Sequence, residues 1–174
     1  MERCYKTFVS VGNAKQHFSR MLEAVRETIH LLPRPILIQC GHTPFISNDC
    51  DVIEFISMDL FVQHVSQAEI LILHAGAGSV LHAIHANKYP ILMPRRAEFN
   101  EHINDHQVGF AKKLQSADKV FMADNTDTLD CGIKKVKEII HFNSVKNNKS
   151  LAFDIIKNRL ELILDKENEK CHEN

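Results

Sequence analysis

The chain has 174 residues, 44% hydrophobic and 25% charged, a composition that suits one globular domain and excludes a disordered or membrane-embedded chain. Twenty-one basic against 22 acidic side chains leave a formal net charge of -1, so no overall basic field draws in nucleic acid or anionic lipid. The longest apolar run, Ile70–Leu73, falls far short of a spanning helix; no secretory h-region follows Met1; and the five cysteines contain no C-x-x-C pair, which argues against a disulfide framework or a zinc site. The expectation is a cytoplasmic protein with free thiols.

Short runs rich in Val and Ile alternate with segments of helical period, the pattern of parallel strands joined by crossover helices. Strands are predicted near Lys6–Val11, Ile36–Cys40, Val52–Ile56, Glu69–Leu73, Pro90–Met93 and Lys119–Met122. Between the first two, Phe18, Leu22, Val25, Ile29 and Leu32 recur at three- and four-residue spacing, an amphipathic helix that Pro33 and Pro35 end. Further helices fit Leu60–Ser66, Ser79–Ala86, Glu101–Gln115 and Thr126–Phe142. The polar segment 143–150 then leads to a last helical stretch with Leu151, Ile155, Leu160 and Leu164 on one face. The reading therefore divides the chain into an α/β body over 1–142 and a connector with a C-terminal helix over 143–174, the latter suited to docking a partner or to packing on its own core.

His74-Ala75-Gly76-Ala77-Gly78-Ser79 follows an apolar strand and opens a helix. Backbone N–H groups at a helix start carry partial positive charge, and glycines let a phosphate approach the main chain, so a diphosphate is the natural guest. The same residues also serve as a plain strand-to-helix turn. A P-loop is excluded, because Ser79 and Val80 follow Gly78 in place of Lys-Ser/Thr; the dinucleotide fingerprint is excluded, because Leu81 stands where its third glycine belongs. The helix is expected to end near Asn87, the second choice after glycine for a left-handed cap.

Pro94-Arg95-Arg96 through Glu101-His102-Ile103-Asn104-Asp105-His106-Gln107 concentrates polar groups after the next strand, at the sheet edge where open α/β folds bind ligands. These groups can read sugar hydroxyls or form a solvated, charged helix start. His102 and His106 are spaced i, i+4, but no H-E-x-x-H is present and no metal is expected.

This combination resembles the C-terminal domain of family 28 glycosyltransferases, of GT-B type, and in particular the small PssE-like subunits of split bacterial exopolysaccharide glycosyltransferases. Val9-Ser10-Val11-Gly12 is similar to the family's opening strand and V-G-T turn, and Gln39-Cys40-Gly41 to its Q-x-G. Glu54-Phe55-Ile56 resembles the segment whose backbone holds uracil in the peptidoglycan relative MurG. The glycine turn matches H-A/G-G-A-G-S, and the later loop matches P-R-x(5)-E-H-x-x-D-H-Q. Asn13 and Ala14 depart from the Thr and His common after the first glycine, and His82 replaces a Glu that binds ribose hydroxyls.

The resemblance implies a Rossmann-like parallel sheet with helices on both faces, equivalent to the C-terminal half of a GT-B enzyme. It implies a hexosyltransferase that passes a hexose or hexuronic acid from a UDP-sugar to a polyprenyl-diphosphate-linked acceptor in exopolysaccharide or capsule synthesis, with inversion. Gly12, Asn13 and Gly76, Ala77, Gly78 and Ser79 with His74 would surround the diphosphate, Ile56 would meet uracil, and His82 would reach the ribose. Arg95, Glu101, Asp105, His106 and Gln107 would contact the donor sugar or phosphates, and Glu101, His102 or Asp105 would supply the catalytic base unless a partner does. The length leaves room for one of the two GT-B domains, which implies a membrane-associated PssD-like subunit carrying the acceptor half and peripheral placement at the inner membrane face. Beyond the UDP-sugar no cofactor is expected, and no nucleic acid. The alternatives are a non-catalytic UDP-sugar-binding or assembly subunit, and another UDP-sugar enzyme such as an epimerase.

Overall fold

The computed structural model describes residues 3–146. Strands are β1 (Thr7–Ser10), β2 (Ile36–Gln39), β3 (Asp51–Ile53), β4 (Ile70–His74), β5 (Ile91–Met93) and β6 (Phe121–Met122); helices are α1 (Ser19–Thr28), α2 (Met58–Gln67), α3 (Ala77–His85), α4 (His106–Ser116) and α5 over 126–146. Two short 3-10 turns, Ile29–Leu31 and Ala97–Phe99, follow α1 and β5.

Alternation along the strands decides the layering. Val9, Ile36, Ile38, Ile70, Ile72, Ile91 and Met93 point to one face, where Met21, Leu22 and Val25 of α1 and Leu129, Ile133 and Val136 of α5 cover them. Their neighbours Phe8, Leu37, Leu71, Leu73 and Leu92 point to the other, against Phe61 and Val65 of α2, Val80 and Ala83 of α3 and Ala111 of α4. Strands buried on both faces read as continuous apolar runs, and all pair in parallel, as crossover helices on each face require. The sheet order is β3-β2-β1-β4-β5-β6, so the chain reverses its direction of growth between β1 and β4.

The expected α/β architecture is observed, with shifted ends. β3 is Asp51–Ile53 rather than Val52–Ile56, because Glu54–Ile56 turn away from the sheet edge, held by Gly41 N–H on the Glu54 carbonyl at 2.9 Å. α3 opens at Ala77, not Ser79, with Gly76 as its N-cap, and closes as expected on left-handed Asn87, whose N–H donates to the Ile84 carbonyl while Lys88 N–H donates to that of Ala83. The helix expected from Glu101 begins only at His106. Asn100 is left-handed and Glu101 is drawn under the loop, so 101–105 form bends instead of a first turn. α5 runs on through 146, four residues into the segment read as a polar connector. The chain divides into compact units at Met1–Lys137 and Glu138–Asn174; of the second, residues 138–146 are helical. The helix expected around Leu151–Leu164 lies outside the described residues.

Candidate functional site

The reversal between β1 and β4 opens a crevice at the carboxyl ends of the strands, the place where open α/β sheets take ligands. A cavity of about 360 Å³ lies there, lined by Ser10, Gly12, Asn13, Gln39, Ile56, Met58, Phe61, His74, Gly76, Ala77, Gly78, Ser79 and His82. Nine residues singled out from the sequence thus meet in one pocket: Gly12, Asn13, Ile56, His74, Gly76, Ala77, Gly78, Ser79 and His82. No side chain caps α3, so the N–H groups of its first turn, Ala77 to Ser79, remain available to an anion above them.

His74, the last residue of β4, forms the floor between the two glycine turns. A Cβ on Gly12 would lie 2.5 Å from its Cε1, and one on Gly76 would strike Nε2, so both positions need glycine for the ring to fit. Gly12 is left-handed besides, at φ 77°. The ring's Nδ1 lies 3.4 Å from the Ser10 carbonyl, which can only accept, so Nδ1 carries the proton and Nε2 is the lone-pair nitrogen. Burial, and after it the Arg95 charge, pulls the imidazole down to about 4, so it is neutral at physiological pH. At Gly78 a Cβ would meet no atom within 4 Å, which leaves its side open.

The polar loop after β5 is placed differently from the expectation. Arg95 is fully buried, and its guanidinium donates to the carbonyls of Gln16 (2.8 Å), Glu101 (3.1 Å) and Val11 (2.9 Å) while lying 4.7 Å from the centre of the Phe18 ring. Burial lowers it to about 10, opposed by Glu101, so the charge persists. Every one of these bonds goes to backbone of the β1 and β5 loops. Glu101, 3% exposed, accepts from Arg20 Nε and Nη2 at 3.0 and 2.7 Å and from Arg96 N–H at 3.0 Å. Its carboxylate is thus occupied by the Arg20 ion pair and the Arg96 N–H. Gln107 Oε1 accepts from Arg95 N–H at 3.1 Å, and Asp105 Oδ1 accepts from Ala97 N–H at 2.9 Å. His102 Nδ1 sits 3.1 Å from the Asn104 carbonyl, and His106 is exposed. None of these six lines the crevice cavity; Glu101 borders a separate one with His17, Ser19, Arg20, Phe99 and Asn100.

Sequence reasoning left out Ser10, Gln39, Met58 and Phe61. Gln39 had a signal in Q-x-G; the apolar pair reads as ordinary helix core. Among the described residues no group of three or more His, Cys, Asp or Glu is placed to hold a metal ion, and no helix is long and apolar enough to cross a membrane.

The sheet order and the switch-point pocket define a Rossmann-like domain of the kind found in GT-B glycosyltransferases. The solved glycotransferase of kitacinnamycin matches with a TM-score of 0.58 at 13% identity, over 78% of this chain and 36% of that one. The calicheamicin glycosyltransferase CalG4 matches with a TM-score of 0.53 at 15% identity, over 74% of this chain and 34% of its own. The chain thus spans about a third of the length of these structures. No curated protein sequence is significantly similar. The model of the glycosyltransferase family 28 C-terminal domain matches residues 7–163, and the chain belongs to that family.

Proposed function

We propose that this chain is the donor-binding half of a UDP-sugar-dependent glycosyltransferase that passes a hexose or hexuronic acid to a polyprenyl-diphosphate-linked acceptor. The observation that carries the reading is the switch-point cavity, in which the uncapped start of α3 and the left-handed Gly12 turn face one another across His74. In that pocket Ala77, Gly78 and Ser79 N–H groups take the diphosphate, the backbone near Ile56 takes uracil, and His82 lies within the wall available to the ribose.

As the acceptor hydroxyl attacks the anomeric carbon, the bond to the diphosphate oxygen breaks and negative charge grows on the departing UDP. N–H groups already aimed at that place stabilise the charge without reorganising, which is how an electrostatic site lowers a barrier. The neutral His74 ring contributes no positive charge, so the attraction for the anion rests on the backbone N–H groups. The acceptor's proton needs a base. With Glu101 held by Arg20, and with His102 and Asp105 outside the crevice cavity, the base comes from the acceptor-binding half, which we assign to a membrane-associated PssD-like subunit in exopolysaccharide or capsule synthesis, with inversion at the sugar carbon.

Co-expression with candidate acceptor subunits and a panel of UDP-glucose, UDP-galactose, UDP-glucuronate and UDP-N-acetylhexosamines tests the activity. UDP release matched by a lengthened lipid-linked saccharide is expected. Binding of a UDP-sugar without product beside every partner favours a non-catalytic assembly subunit, and a changed sugar without acceptor favours an epimerase.

A further inference from the structure

We propose that Gln39 is the positioning residue that couples the two halves of the donor pocket, so that filling the nucleobase half tightens the diphosphate half and the reverse. This rests on the donor-site reading above. Gln39 ends β2, and it is 1% exposed. Its Oε1 accepts from the Ser10 hydroxyl at 2.6 Å and from Gly12 N–H at 3.2 Å. Its Nε2 donates to the Gly12 carbonyl at 3.2 Å, to Asn13 Oδ1 at 3.3 Å and to the Glu54 carbonyl at 3.0 Å.

One carboxamide therefore mates with both the N–H and the C=O of Gly12 and ties that turn to the backbone leaving β3. Both tethered segments reach the pocket: Gly12 and Asn13 line it on the proposed phosphate side, and the backbone leaving Glu54 leads to Ile56, which lines it on the proposed base side. Because Asn13 Oδ1 is engaged by Gln39, its Nδ2 is the end left to donate to a diphosphate oxygen. The Glu54 carbonyl also accepts from Gly41 N–H at 2.9 Å, while the Gln39 amide is the side chain that joins it to the Gly12 turn. Ordering either wall by a ligand orders the other through that amide, which is a coupling between subsites and is reciprocal by linkage.

Replacement chemistry makes the claim testable. Leucine offers the tether nothing. Glutamate has the same shape: protonated, it supplies one O–H and an acceptor; ionised, it turns a lone pair toward the carbonyls of Gly12 and Glu54 and a charge toward the diphosphate. Calorimetry on the full chain would measure uridine and inorganic pyrophosphate binding, each alone and with the other saturating, for the wild type, Gln39→Leu and Gln39→Glu, alongside UDP. In the wild type each fragment tightens the other by about fivefold or more. Gln39→Leu brings that factor to about one; burial at this position raises a carboxyl above its ordinary ~4.3, so Gln39→Glu retains the coupling at about pH 5 and loses it as the group ionises toward about pH 8, where the wild type keeps it. Thermal melts show whether the leucine variant is folded; if it is not, the isosteric glutamate variant decides. Absence of coupling in the wild type, or wild-type coupling in Gln39→Glu at the higher pH, overturns the inference while UDP binding leaves the donor reading standing. A wild-type chain that does not bind UDP overturns both.

Discussion

Arg20 on α1 and Glu101 in the β5 loop, 81 residues apart in the chain, close on each other through two bonds, Nε to Oε1 at 3.0 Å and Nη2 to Oε2 at 2.7 Å. Arg20 also donates to the carbonyls of Pro94 (2.8 Å) and Asp124 (2.7 Å), so one guanidinium pins α1 to the loops after β5 and β6. Glutamine at 101 keeps the shape but loses the charge that Arg20 needs in a poorly solvated place. Glu101→Gln is expected to cost about 1–3 kcal/mol of stability. The check is a urea titration, where the midpoint falls at constant slope; an unmoved midpoint contradicts a structural role for the pair.

The glycines around His74 separate by position. Gly12→Ala places a Cβ against the ring at a left-handed φ and is expected to cost about 1–3 kcal/mol. Gly76→Ala meets the same ring from α3, so shrinking the ring in His74→Ala should recover part of that loss, a non-additivity readable in a double-mutant cycle. Strictly additive melts would show that the ring is not the obstacle.

Neutral His74 links stability to pH. Its folded value of about 4 lies below the ordinary 6.5, so the unfolded chain binds the proton first. The contribution is complete above the unfolded value and is lost as pH falls from about 6.5 toward 4, up to on the order of 3 kcal/mol. The difference in unfolding free energy between wild type and His74→Asn should slope across that window and flatten above it. A difference that is flat from pH 7 to pH 4 would place the imidazole in water.

The fold was legible because both strand faces are buried: short continuous apolar runs with helical period between them leave few other architectures. The phosphate side of the pocket was legible for a related reason. Gly76 and Gly78 are local signals, and Asn87 marks the helix end beyond them. The internal contacts of the β5 loop were not legible because its partners are remote. Glu101 and Asp105 look like the acidic start of a helix, and nothing near them announces Arg20 on α1. Arg95 looks like a ligand-binding arginine for the same reason, since its acceptors are carbonyls of Val11 and Gln16, which no motif records. Gln39 was visible as a motif, but its reach to Glu54 depends on β2 pairing with β3.

The reading of α3 as an electrostatic cradle carries a consequence for metal dependence. On the proposed donor-site reading, the Ala77, Gly78 and Ser79 N–H groups would do for the leaving diphosphate what a divalent cation does elsewhere. Chelation with EDTA is therefore expected to leave UDP affinity within about twofold. Loss of binding on chelation, restored by manganese, would overturn it.

Calorimetric titration of the chain with UDP, beside NAD and ATP, asks whether the β1/β4 switch point is a UDP site. Gly78→Val is the paired variant, because its side chain enters open space in the protein and should change stability by less than about 1 kcal/mol while filling the place a phosphate takes. The account predicts selective binding of UDP by the wild type and its loss in the folded variant. Equal binding by both proteins, or no preference for UDP over NAD and ATP, would contradict it.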